Sequence, residues 1–247
     1  MLKEIENCYF FMNMIQELLN KTRGKQVILL GELHGTKEIP VMLENAFSRL
    51  AKKETFNVAL EIPSRYQSNI DRFLLTGKDD YLFAADFFLN TAASDGRNSL
   101  EYLNLIRKIY AINKKQKKSI HIFCIELDHV QQASSAQEEK ETELTKRIIA
   151  LSKKGRLFVV LGDIHAAKKI IAISNQQIIP AGYRLAKAMG NAVISIRFSP
   201  RKGSFFNGKM RVVAFDQENS KFDAFFDVII PLSNVTPCSF ARKGMRN

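Results

Sequence analysis

Five short apolar runs, set apart by stretches of helical length, limit the folds open to this chain more than any other feature. They are QVILL at 26–30, NVALEI at 57–62, SIHIFCI at 119–125, LFVVL at 157–161 and AVISIRF at 192–198. Each is too short for a helix and rich in β-branched or aromatic residues, so each reads as a strand. Several are nearly all apolar instead of alternating, the pattern of parallel strands covered on both faces. Helical patterns lie between them. Residues 40–53 open on a proline, which suits a first helical position, and carry Val41, Met42, Ala46 and Leu50 at helical spacing. Residues 99–115 place Leu103, Ile106 and Tyr110 on one face. Residues 137–154 begin acidic and end in Lys153 and Lys154, an order that complements a helix dipole. Residues 166–174 and 181–190 are shorter helical candidates. Beyond Pro200, residues 209–215 and 222–230 read as two strands with no helix between them. The expectation is an α/β fold with a mostly parallel central sheet flanked by helices and an antiparallel C-terminal edge. We expect one domain over 1–247, with 1–24 as an N-terminal helical extension.

Composition removes several alternatives. Hydrophobic residues make up 46% and charged residues 25% of 247, which excludes a disordered chain, a collagen-like fibre and a membrane bundle. No apolar run reaches the ~20 residues that span a bilayer. The first twenty residues lack the order of a secretory signal, so a cytoplasmic location is expected, although signal-independent export would leave no mark. Cys8, Cys124 and Cys238 form no CxxC pair and read as reduced, mostly buried thiols. The net charge of +12 predicts attraction to anionic partners. Lysines 114, 115, 117 and 118 read as a solvated face. The basic-aromatic turn RKGSFF at 201–206 could meet nucleic acid or acidic headgroups. No recognition motif supports specific nucleic-acid binding. The chain has no GxSxG and no phosphate-binding GxxxxGK[ST] loop, so serine-hydrolase and P-loop readings fail.

Two turns carry the chemistry. The first strand closes in Gly31-Glu32-Leu33-His34 and the fourth in Gly162-Asp163-Ile164-His165. Ligands of open parallel sheets bind at the carboxyl ends of strands, so two of only four histidines fall where such a fold places a site. Glu61 ends the second strand at the same rim and interrupts apolar residues, which demands a partner or water. Glu126, Asp128 and His129 follow the third strand. His121 falls inside that strand and reads as a packed or sheet-face histidine. Two chemistries remain open. His34, Glu61 and His165 suit a divalent ion (manganese, iron or zinc about equally) that acidifies a bound water. Alternatively, one histidine acts as a general base on water while a carboxylate orients it. In the second reading His34 is the base, Glu61 orients water, His165 is a second base or acid, and Glu32 fixes His34.

The segments ILLGELHGTKEIP, VALEIPSR, FVVLGDIHAAK and FDVIIPLSNVTP resemble the superfamily of erythromycin esterases, ChaN-like haem-binding proteins and Tiki/TraB-type proteins. Its marks are paired GxxH turns and a glutamate after the second strand, and the resemblance runs from about residue 26 to 238. It implies the sheet described above with the active rim at the strand ends. It also implies hydrolysis of an ester, amide or peptide bond in a small-molecule or peptide substrate, with non-catalytic haem or iron binding as the alternative. By the same resemblance, Arg97 faces the site and holds an anionic intermediate or a substrate carboxylate. Arg65 and Asp163 join it as candidate substrate-binding residues.

Overall fold

The computed structural model describes residues 2–89, 95–128, 136–173, 176–207, 212–216 and 220–241. Helix α1 (Leu2–Lys21) leads into β1 (Val27–Glu32), α2 (Glu38–Leu50) and β2 (Asn57–Pro63). Then come α3 (Gln67–Thr76), α4 (Asp80–Ala84), α5 (Leu100–Gln116), β3 (Ile122–Glu126), α6 (Ala136–Ser152) and β4 (Leu157–Gly162). The one-turn α7 (Asp163–Ala166) precedes β5 (Ile171–Ile173), β6 (Gln176–Ile178), α8 (Ala181–Met189), β7 (Val193–Pro200), β8 (Lys202–Phe206), β9 (Val212–Asp216) and β10 (Val228–Leu232).

Six strands form one sheet in the order β10-β7-β1-β4-β2-β3, and every pairing is parallel. The all-apolar runs occupy its middle, and every residue of β1 and β4 is buried. Alternate side chains of these strands feed two cores, as the two-residue period of a strand requires. Ile28, Leu30, Val58, Leu60, Phe158 and Val160 pack with Phe47 of α2 and with Leu103 and Ile106 of α5. Val27, Leu29, Ala59, Leu157, Val159 and Leu161 pack on the opposite face with Leu144 and Ile148 of α6 and Leu185 of α8. Phe47, Phe56 and Phe158 meet with ring centroids 5.3–5.5 Å apart, two of the three contacts edge to face. Helix α5 starts where Ser99 accepts a hydrogen bond from the amide of Tyr102. Side chains meet the open edge of β3: Gln67 donates to Ile122 O at 2.9 Å and accepts from Cys124 N at 2.7 Å, and Arg147 Nη1 donates to Glu126 O at 3.3 Å. These side chains occupy backbone groups that another strand would use.

The expected mostly parallel sheet with flanking helices is present. The antiparallel C-terminal element stands apart from it, as the two-stranded ladder β8–β9. The last strand, β10, pairs in parallel with β7 and forms an edge of the main sheet. A helix over 166–174 does not form. Backbone at Ala167 turns extended, and Ile171–Ile173 pairs with Gln176–Ile178 as an antiparallel hairpin. The β-branched isoleucines there favour a strand over a helix. Cys124 and Cys238 are free and buried, and burial pushes both thiols up to about 12. Cys8 lies outside the side chains described. Among the described residues, no helix is long and apolar enough to cross a membrane.

Candidate active site

Strand order builds the site. Strand β4 runs between β1 and β2, so both Gly-acid-apolar-His turns leave adjacent strands, with Glu32 opposite Gly162. Glu61 reaches in from the other neighbour of β4 and accepts from the Gly162 amide at 2.9 Å. A Cβ on Gly162 would stand 2.8 Å from His34 Nε2, and one on Gly31 would meet Phe226 at 2.9 Å and Asp163 at 3.1 Å. Each turn opens on glycine because another side chain lies against its Cα.

The side chains form a chain of alternating imidazoles and carboxylates. His34 Nδ1 lies 2.7 Å from Glu32 Oε1, and its Nε2 lies 3.5 Å from Glu61 Oε2. His165 Nε2 lies 3.5 Å from Glu61 Oε1, and its Nδ1 lies 2.6 Å from Glu141 Oε1. Glu61 is therefore flanked by two histidines, each backed by its own carboxylate. Glu32, Glu61 and Glu141 are almost wholly buried, whereas His34 and His165 keep 20% and 12% of their side chains exposed. Reagents from solvent thus meet the imidazoles first.

Two cations hold the central carboxylate. Lys140 Nζ donates to Glu61 Oε1 at 2.9 Å and lies 3.0 Å from Glu126 Oε1. Arg97 Nη1 lies 3.2 Å from Glu61 Oε1, bonds Glu126, and has its Nε on Asp95 at 2.8 Å. Burial alone would raise the Glu61 pKa, but His165, Arg97, His34 and Lys140 hold it well below the usual carboxylate range. Glu126 is raised by burial and by the charge of Glu61, against Lys140 and Arg97. For His34, burial disfavours the charged ring. Hydrogen bonds and charge from Glu32 and Glu61 outweigh it and push the pKa up to about 10. Tyr102 donates to Glu32, and its phenol is raised by burial and by the Glu32 charge.

Not every predicted residue joins this centre. His34, Glu61, His165, Glu32 and Arg97 come together. Asp163 sits beside them, with Oδ2 on Arg197 Nε at 2.7 Å and Oδ1 buried without a hydrogen-bond partner. Burial raises its carboxyl against the pull of Arg197. Arg65 lies apart: it is half exposed, lies over the Tyr66 ring, and pairs with Asp128 at 3.5 Å. Asp128 also accepts from Ser64. His129 lies outside the described residues. His121 precedes β3 at its far end, exposed and stacked on Phe123. The expectation of a packed or sheet-face histidine inside the strand is corrected to this extent: the ring lies just before the strand and is not packed.

Sequence reasoning missed Lys140, Glu141, Tyr102 and Arg197. The acidic start of α6 complements the helix dipole, which by itself accounts for its charge. Yet Glu141 lies on the buried stripe of that helix with Leu144, Thr145 and Ile148, and an acid on an apolar stripe is a readable signal. Arg197 interrupts an apolar strand just as Glu61 does, and it is 6% exposed.

The donor set does not suit a divalent ion. Both oxygens of Glu61 are engaged by cations or an amide, and the Lys140 ammonium and Arg97 guanidinium already balance its charge. Among the described residues, no three His, Cys, Asp or Glu side chains are grouped to hold a metal.

Fold and geometry define a parallel α/β protein with a paired-histidine, carboxylate-centred site at the carboxyl rim of its sheet. Solved structures share this fold. A protein from Bacillus cereus superposes with a TM-score of 0.65 at 14% identity, over 92% of this chain and 93% of its own. A succinoglycan biosynthesis protein gives 0.67 at 14%, over 92% of each chain. A mutant of the erythromycin esterase EreC in its open conformation gives 0.51 at 11%, over 84% of this chain and 80% of its own. At these identities the likeness is one of fold, and it is the fold that the resemblance in the sequence implies. No protein-family model matches the chain, and no curated protein matches it in sequence.

Proposed function

We propose that the protein is a hydrolase of an ester, amide or peptide bond that activates water without a metal. One observation carries this reading: the Nε2 atoms of His34 and His165 stand 3.5 Å from opposite oxygens of the buried Glu61 carboxylate. The two rings then divide the proton work. His34 is an imidazolium at neutral pH and is the proton donor to the leaving oxygen or nitrogen. His165, whose Nδ1 is fixed by Glu141, presents Nε2 as the base that takes a proton from water. Glu61 orients that water and stabilises the imidazolium that forms at His165. After turnover His165 carries a proton and His34 lacks one, and a single proton transfer restores the starting state. Lys140 and Arg97 keep Glu61 ionised, which positions it for this work. Similarity of fold to an esterase agrees with this assignment.

The test is a panel of aryl and alkyl esters, anilides and short peptides, offered to the chain and to Glu61→Gln. Turnover by the wild type that falls about 10²–10⁴-fold in the variant supports the reading. Equal turnover by the two proteins refutes it. Stoichiometric haem uptake with a sharp Soret band and no turnover would transfer the site to the binding alternative.

A further inference from the structure

A concavity lies at the amino end of β3, the opposite end of the strand from Glu126. It is a cleft of about 870 Å³ between α3, the end of α5 and the residues leading into β3. One wall is apolar: Leu74, Leu75, Ile120 and Phe123 line it, and Leu75 is 76% exposed. Its rim is basic. Lys114, Lys118 and Lys154 all line the cleft, and among the described residues none of them has an ion-pair partner. Lys154 Nζ lies 5.1 Å from the centroid of the Phe123 ring and Lys114 Nζ lies 5.6 Å from that of Tyr110, so aromatic faces hold these ammoniums while their charge stays free. Asp71 is the only acid in the lining, and it accepts from Gln67 Nε2 at 2.9 Å.

The walls are preformed. The Asn113 side chain both donates to Ile120 O and accepts from Ile120 N, each at 2.9 Å, which pins the lysine-rich loop to the end of α5. The amide of Gln67 is fixed in turn by the β3 edge. A braced concavity with an apolar wall and lysines free of ion pairs in its lining has the chemistry of a ligand site. The geometry points to a second binding site here, for a small amphiphile with an apolar body and an anionic head. Its apolar part would lie on Leu74, Leu75 and Phe123, and its head would meet the three ammoniums. The site is independent of the hydrolytic reading, because it shares no residue with the carboxyl rim.

The probe is 8-anilino-1-naphthalenesulfonate, titrated by fluorescence into the full chain and into the double variant Lys118→Glu/Lys154→Glu. Lys154 is exposed and Lys118 partly exposed, and circular dichroism checks that the fold persists. Dye affinity falling about tenfold in the variant, with amide shifts in the wild type confined to the segments that line the cleft (67–75, 113–123 and 154), supports the site. Decanoate should displace the dye, while decanol should not. Unchanged affinity in the variant, or equal displacement by decanol, overturns the proposal. Sedimentation with phosphatidylglycerol vesicles, lost in the same variant, assigns the anion to a lipid headgroup. Decanoate binding without sedimentation assigns it to a free amphiphile.

Discussion

His34 should remain protonated far above the ordinary range of an imidazole. The perturbation is a pH titration from 5 to 11, and the cause is local: a ring between Glu32 at 2.7 Å and Glu61 at 3.5 Å. Burial opposes the charge, but the carboxylates win and set the midpoint at about 10, against 6.5 for a free ring. At about 1.4 kcal/mol per tenfold change, that gap is on the order of 5 kcal/mol of preferential proton binding by the folded state. Because the folded form binds this proton more tightly than the unfolded chain, the contribution to stability is whole below pH ~6.5. It declines as the pH rises and is gone above about 10. Long-range proton–nitrogen correlation spectra suit the measurement, since the chain has only four histidines. Urea unfolding across the same range reads the linked stability. Glu32→Gln keeps a hydrogen-bonding group but removes the charge, and should bring His34 back toward neutrality. His34→Gln should flatten the stability profile between pH 7 and 10. A wild-type ring that titrates near 6.5 would refute both the electrostatic account and the assignment of His34 as proton donor.

Three further outcomes follow from the same geometry. Glu141→Gln releases the Nδ1 proton of His165 and should lower kcat about 10²–10⁴-fold with little change in KM, measured on any substrate the panel finds. Gly162→Ala places a methyl 2.8 Å from His34 Nε2. It should destabilise the protein by about 1–3 kcal/mol in thermal or urea unfolding, and an unchanged midpoint would contradict the packing described. Dialysis against a strong chelator should leave turnover intact; loss of activity restored by manganese, iron or zinc would show that the centre works through a metal.

Much of the fold was legible in the chain because burial on both faces leaves a plain mark. Runs such as LFVVL at 157–161 can be little else but central parallel strands. The hairpin Ile171–Ile173 with Gln176–Ile178 was not legible, since three-residue strands lie below any periodicity. Within the site, His34, His165, Glu32 and Glu61 were visible as polar residues at the ends of apolar strands. Lys140 and Glu141 were hidden in a charged helix start, where a solvated role is the usual one. Arg197 was passed over although it breaks a strand as plainly as Glu61.

By itself, the sequence determined the layered α/β architecture and the end of the sheet at which polar chemistry collects. Hydrophobic period and strand length are local properties, and they are written residue by residue. Tertiary structure alone decided that β4 would lie between β1 and β2. That order brings Glu61 between two histidines 131 positions apart and delivers Lys140 and Glu141 from α6. It also placed the carboxylates that raise the His34 pKa. A pKa depends on the charges and solvent around a group, and those neighbours come from distant parts of the chain.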